Sequence, residues 1–320
     1  MNKDIFYGVI PALMTPCKAD RTPDYDALVK KGKQMIEAGM SAVVYCGSMG
    51  DWPLLTDEER MEGVDRLVKA GVPVMVGTGA INTKSAVALA AHAEKVGAAG
   101  LMVIPRVLSR GSVISAQINH FKAILAAAPS IPAIIYNSPV YGFETRADVF
   151  FALRKEHKNL IGFKEFGSKE AMRYAAENIT SNDEEVLLMV GVDTRVFHGL
   201  VNCGATGSIT GIGTALPKEV LLLTHLSKMA ATGNAEARIR AQELEEGMSV
   251  LASFDEGPEL VLFFKYLLVL NGEEEYRLHF NETDELNEEQ RRYCEKQYQL
   301  FKTWFAQWVK QGGVITECLS

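Results

Sequence analysis

The sequence predicts an α/β protein, a (β/α)8 TIM barrel that carries a C-terminal helical extension. Three observations predict it. Eight short apolar runs rich in Val and Ile each end in Gly, Ser, Thr, Asn or Pro. Amphipathic stretches of helical length lie between most of them. The starts of the runs are 34, 31, 27, 32, 28, 26 and 18 residues apart, the size of a strand–helix unit. An open doubly wound sheet is the alternative, and eight consecutive units favour closure.

The runs are 8–16, 42–50, 73–79, 100–106, 132–137, 160–166, 186–192 and 204–213. Near-continuous apolar segments such as AVVYCG and AIIYN fit parallel strands buried on both faces. The first helix, 24–38, places Tyr25, Leu28, Val29, Gly32, Met35 and Ile36 on one face and stops at Gly39. Thr56-Asp-Glu-Glu59 reads as a capping box that opens a helix ending before Gly71. Residues 82–96 and 112–128 show the same periodicity. After Gly213 the strand signal ends, and 217–231, 235–251, 256–270 and 287–309 read as helices. The expected organisation is a catalytic barrel over 1–233, a helical extension over 234–311 and a loose tail over 312–320.

Composition narrows the function. The 320 residues are 48% hydrophobic and 23% charged, which describes a globular protein and not a disordered chain. A net charge of −7 argues against nucleic-acid binding. No apolar run approaches a membrane span. Pro11 and Pro16 interrupt the first apolar stretch, making a poor signal peptide, and the cytoplasm is the expected location. The five cysteines are far apart, with no C-x-x-C pair, and the six histidines are scattered, so neither a disulfide framework nor a metal site is expected.

In such a barrel, chemistry belongs at the C-terminal ends of the strands. Those ends offer Thr15, the loop Gly47-Ser48-Met49-Gly50-Asp51, Thr78, Arg106, Tyr136-Asn137, Lys164-Glu165, Asp193 and Thr210-Gly211-Ile212-Gly213. Lys164 stands within an apolar strand, LIGFKEFG. If it faces the barrel, desolvation lowers its pKa and makes it a nucleophile for a carbonyl carbon. The other reading is an outward Lys paired with a carboxylate. Tyr136 could shuttle protons in the same cavity, or be an ordinary buried Tyr. The Gly47–Gly50 loop lets backbone N–H groups approach a small anion. No nucleophile elbow and no P-loop occurs.

Taken in order, G-S-M-G-D at strand 2, Y-N-S-P at strand 5, G-F-K-E at strand 6 and G-x-x-G-S-I-T-G at strand 8 resemble the dihydrodipicolinate synthase/N-acetylneuraminate lyase family. The resemblance covers roughly residues 5–310. It implies a class I mechanism in which Lys164 forms a Schiff base with the 2-oxo carbon of a keto acid or an equivalent imine. It further implies that Tyr136 shuttles protons and that the Ser48–Met49 amides and Ser48 hydroxyl hold the substrate carboxylate. No metal or organic cofactor is implied. The assembly implied is a homotetramer built as a dimer of dimers.

Three segments depart from the synthase pattern. Ser48 and Met49 stand where two Thr are usual, and Met49 cannot pass a proton. Tyr141 stands where an Arg would bind the second carboxylate. Arg106-Val107-Leu108 replace the aromatic residues after strand 4. Met49, Trp52, Val107, Leu108, Val140 and Phe143 suggest an apolar mouth for a compact substrate. The segments YCGSMGDWPLL and IPRVLSRG most resemble members acting on 1-pyrroline-4-hydroxy-2-carboxylate in hydroxyproline breakdown. Those members dehydrate and deaminate it to 2-oxoglutarate semialdehyde. Arg106 would bind a carboxylate or make a surface ion pair, and Asp193 would polarise a substrate hydroxyl or lie solvated in a loop. Asp51, Tyr141, Thr210, Gly211 and Ile212 complete the expected substrate-binding set. The competing readings are a pyruvate-dependent aldolase or synthase and a barrel that binds a keto acid without turnover.

Overall fold

The computed structural model describes residues 2–107 and 113–311. Among them eight strands form one parallel sheet: β1 (Val9–Pro11), β2 (Val43–Tyr45), β3 (Val74–Gly77), β4 (Gly100–Val103), β5 (Ala133–Asn137), β6 (Leu160–Glu165), β7 (Leu187–Val190) and β8 (Gly207–Thr210). The order β1-β8-β7-β6-β5-β4-β3-β2 runs through every neighbour of a ring. Ala12 bridges Val44 in parallel, and Leu13 N–H donates to Val44 C=O at 2.8 Å, which brings the two ends together. Each strand lies within one predicted run but is shorter, and in all but β5 the last residues of the run bend away to form the loops at the barrel mouth. All strand positions are buried, as a sheet covered by helices outside and side chains inside requires.

The outer layer is α1 (Tyr25–Glu37), α2 (Asp57–Lys69), α3 (Thr83–Val96), α4 (Ile114–Ala127), α5 (Ala147–Glu156), α6 (Lys169–Asn178) and α7 (Pro217–Ala231). Local chemistry starts them where the sequence marks them. Asp24, Asn82 and Ser168 each cap a helix by accepting a backbone N–H. Thr56 and Glu59 form the reciprocal capping box. The link from β7 to β8 carries no full α-helix. A 3-10 turn, Asp193–Arg195, and a π-helical turn, His198–Asn202, fill it. The two strands start 20 residues apart, and these turns occupy most of the link, 191–206.

The extension is α8 (Ala235–Ala252), α9 (Leu260–Leu270) and α10 (Glu288–Trp308). α9 begins four residues later than its periodicity predicts. A 3-10 turn, Ser253–Glu256, comes first, and Gly257-Pro258 follows it. That turn carries the chain over the barrel mouth. One continuous hydrophobic cluster joins barrel and extension, including Phe264, Leu267 and Leu268 of α9. Among the described residues no helix is long and apolar enough to cross a membrane. Leu108 and the expected tail, 312–320, lie outside the described residues.

Candidate active site

The register of β5 on β6 sets the centre of the site. Tyr136 pairs with Lys164 and Asn137 with Glu165, so each pair shares one face of the sheet. The first pair points into the barrel and lines a cavity of about 290 Å³ at its C-terminal mouth. The second points outward, where Asn137 Nδ2 donates to Glu165 Oε2 at 2.8 Å. Lys164 Nζ lies 3.8 Å from the centre of the Tyr136 ring. Burial lowers the Lys164 pKa to about 8, while the carboxylates of Asp255 and Asp193 resist that fall. Gly191, just past β7, makes room for the lysine: a Cβ there would stand 2.8 Å from Lys164 Cε and 2.7 Å from Glu165 O.

Tyr136 is fixed by edge contacts with Tyr141 (5.5 Å between ring centres) and Phe166 (6.2 Å). Burial raises its phenol well above the usual value. At the end of β2 the chain passes through Cys46 at φ 60° and makes a 3-10 turn, Ser48–Gly50. Buried Thr15 pins this turn by donating to Gly50 C=O at 2.7 Å. Gly47, Ser48 and Met49 line the cavity across from Lys164. Ser48 Oγ and Tyr141 OH share a hydrogen bond of 2.7 Å, so Tyr141 meets the cavity through Ser48.

The remaining expected residues divide. Thr210 and Gly211 line the cavity, and Thr210 Oγ1 is buried with no hydrogen-bond partner among the described residues. Ile212 is buried and contributes its backbone N–H to Asp193, not to the cavity wall. Asp193 is neither a solvated loop residue nor a cavity carboxylate. Buried, it accepts N–H bonds from Gly211 at 3.0 Å and Ile212 at 2.7 Å, and so ties the loops after β7 and β8 together. Asp51 turns away from the cavity into a buried ion pair with Lys265 of α9, 2.8 Å away. Arg106 lies off the cavity, and Gln117 holds both its backbone groups, at 2.9 and 3.1 Å.

The apolar mouth is divided as well. Met49 and Val140 line the cavity, Trp52 and Val107 line a neighbouring groove, and Phe143 packs on Phe121. Besides Gly191, the residues that sequence reasoning missed include a group from the extension: Asp255, Glu256, Gly257 and Pro258 form part of the cavity wall. The F-D-E-G-P segment carried a weak signal, a Gly-Pro break where an uninterrupted helix was expected.

A buried amine with no ion-paired carboxylate among the described residues, a phenol against it and the Ser48–Gly50 turn across a small cavity are the parts that Schiff-base chemistry needs. The sequence model of the dihydrodipicolinate synthetase family matches residues 5–275. The chain belongs to that family. A 4-hydroxy-tetrahydrodipicolinate synthase of Sulfurihydrogenibium sp. is 31% identical over 303 residues, which cover 93% of this chain and 100% of the relative. The structure of the 4-hydroxy-tetrahydrodipicolinate synthase of Methylacidiphilum fumariolicum superposes with a TM-score of 0.85 at 23% identity, over 96% of this chain and 99% of that one. The sialic acid aldolase of Ruminococcus gnavus gives 0.82 at 23% identity, over 95% and 99%. At these identities the two structures attest the fold, a (β/α)8 barrel with a helical extension. Family membership makes the protein an enzyme, a Schiff-base-forming lyase.

Proposed function

We propose that the protein acts on a small 2-oxo acid or cyclic imino acid through a Schiff base on Lys164. The observation that carries this reading is the placement of Lys164: buried, against Tyr136, in a cavity whose far wall is the Ser48–Gly50 turn. The lysine attacks C2, Tyr136 moves protons to and from the nitrogen and oxygen there, and the turn amides with Ser48 Oγ hold the carboxylate. The protonated imine then accepts the electron pair released at C3.

Two reactions fit this chemistry. The names of the relatives favour a pyruvate-dependent synthase or aldolase, in which the C3 enamine adds to an aldehyde. The residues of this cavity favour the dehydration and deamination of 1-pyrroline-4-hydroxy-2-carboxylate. Tyr141 stands where the synthase pattern has its carboxylate-binding Arg, Met49 interrupts the hydroxyl relay, and about 290 Å³ suits a five-carbon acid better than a long sugar acid. In that reaction Lys164 displaces the ring nitrogen from C2, leaving an open-chain Schiff base with a free amine at C5. Loss of a C3 proton expels the C4 hydroxyl as water. After the double bond migrates, one water hydrolyses the C5 imine to release ammonia and another frees Lys164. The net change is one water consumed for each ammonia formed.

The test is to supply the enzyme with the pyrroline carboxylate and, separately, with pyruvate and an aldehyde. Ammonia and 2-oxoglutarate semialdehyde in equal amounts support deamination. A pyruvate–aldehyde adduct without ammonia supports the synthase or aldolase reaction. Neither product in either arm overturns the shared reading. A homotetrameric assembly is proposed too, on the exposed apolar residues Leu54, Ile81 and Val140 near the mouth. Light scattering of the purified protein checks it.

A further inference from the structure

We propose that Asp255, from the helical extension, is a further catalytic residue whose carboxyl group gives and takes the proton on the oxygen at substrate C4, two carbons beyond the Schiff-base carbon. The inference rests on Lys164 forming that Schiff base.

Asp255 reaches the cavity from outside the barrel, on the Ser253–Glu256 turn, and is only 8% exposed. Its neighbours anchor it on both sides. Phe254 stacks on Phe263 with ring centres 4.1 Å apart, and Glu256 accepts from Thr194 Oγ1 at 2.7 Å. Of its own oxygens, Oδ2 accepts the backbone N–H of Asp193 at 3.2 Å. Oδ1 has no donor within hydrogen-bonding distance among the described residues, and the side chain lines the cavity beside Lys164 and Tyr136.

The neighbouring carboxylate cannot serve. Asp193 spends its oxygens on the amides of Gly211 and Ile212, whereas Asp255 keeps one oxygen for a ligand. The charged and titratable groups around Asp255 are Lys164, Asp193, Tyr136 and Glu256. Burial raises the Asp255 pKa to about 7, and the Lys164 ammonium opposes that rise. A carboxyl group near neutrality carries a proton in much of the population, as a general acid requires.

The step balances in either reaction. In dehydration, the enamine nitrogen pair forms C2=N⁺ and the C2=C3 pair forms C3=C4. The C4–O bond then breaks onto the oxygen, which takes the Asp255 proton and leaves as water. In aldol addition, C3 of the enamine bonds to the aldehyde carbon, and the carbonyl oxygen takes the same proton to become the C4 hydroxyl. Solvent water returns the proton to Asp255 in both cases.

The experiment separates C3 chemistry from C4 chemistry. Wild type, D255N and D255E are each given pyruvate in D2O, with methyl-hydrogen exchange followed by NMR. Each is also given pyruvate with borohydride, and then assayed for turnover of the pyrroline carboxylate and of pyruvate with an aldehyde. D255N is expected to exchange and to form the Lys164 adduct within about threefold of wild type, while its turnover falls about 100-fold or more. D255E, with its carboxyl displaced by one methylene, is expected to lose turnover about tenfold or more with exchange intact; it carries the test if D255N does not fold. Turnover within about threefold of wild type in a folded variant would overturn the assignment. So would parallel loss of exchange and adduct, since the role would then lie in Schiff-base formation. A wild-type enzyme that forms no adduct would overturn the Schiff-base reading itself, and this assignment with it.

Discussion

Lys265 Nζ lies 2.8 Å from Asp51 Oδ2, joining α9 of the extension to the turn after β2 across 214 positions of sequence. Both side chains are buried, and Asp51 holds the left-handed φ of 57° that ends the Ser48–Gly50 turn. Burial raises the Asp51 pKa, and the Lys265 ammonium opposes that rise. The pair thus ties the extension to the Ser48–Gly50 turn.

Removing one partner of this pair is expected to cost far more than removing both. K265M leaves a buried carboxylate without its cation and should destabilise the fold by about 3–5 kcal/mol at neutral pH. The D51N/K265M double variant should recover much of that loss. Urea denaturation measures both, and KM for the keto acid should rise in K265M as the turn loosens. A K265M protein as stable as wild type would show that the pair does not hold the turn.

Activity should follow the Lys164 proton. With a pKa of about 8, the amine is mostly protonated at neutrality, so adduct formation with pyruvate should climb with pH toward about 8, while turnover, which also needs the Asp255 proton, should peak between about 7 and 8. Because the Asp255 carboxylate supports the ammonium, D255N should move this acid limb to lower pH. Stability has its own signature. The folded value lies below the ordinary 10.5, so the unfolded chain binds this proton more tightly. The group's penalty on folding is therefore full below about 8 and is relieved as pH rises through the window up to 10.5. K164M should abolish turnover yet melt no lower than wild type at pH 7. A pH–rate profile and a thermal melt check the two halves.

Ser48 and Tyr141 should act as a unit. Their shared 2.7 Å bond holds the Ser48 hydroxyl in place at the cavity wall, so S48A and Y141F should each raise KM for the keto acid more than they lower kcat. The double variant should be less damaged than the sum, with a coupling of about 0.5–3 kcal/mol. Strictly additive losses would separate Tyr141 from carboxylate binding.

The barrel could be read in advance because its signals are local. Runs such as AIIYN and LIGFKE are buried on both faces, and Thr56-x-x-Glu59 states its own helix start. Lys164 and Tyr136 stood out because an amine and a phenol in apolar strands demand a reason. Gly191 went unread: only the packed neighbour reveals that its hydrogen makes way for Lys164 Cε. Asp51 and Asp193 looked like ligands for substrate because strand-end position says nothing of a partner elsewhere. Lys265 and the Gly211 and Ile212 amides claim them in three dimensions. Asp255 was hidden for the same reason, since its place at the cavity depends on how α8 and α9 turn over the mouth.

Borohydride reduction in the presence of substrate, followed by peptide mass spectrometry, tests the central claim most directly. Pyruvate and 1-pyrroline-4-hydroxy-2-carboxylate are run in parallel against the K164M control. A stable adduct is expected on the peptide carrying Lys164, absent without substrate and absent in K164M. Unmodified Lys164 with both compounds, in a protein that remains folded, would contradict the claim.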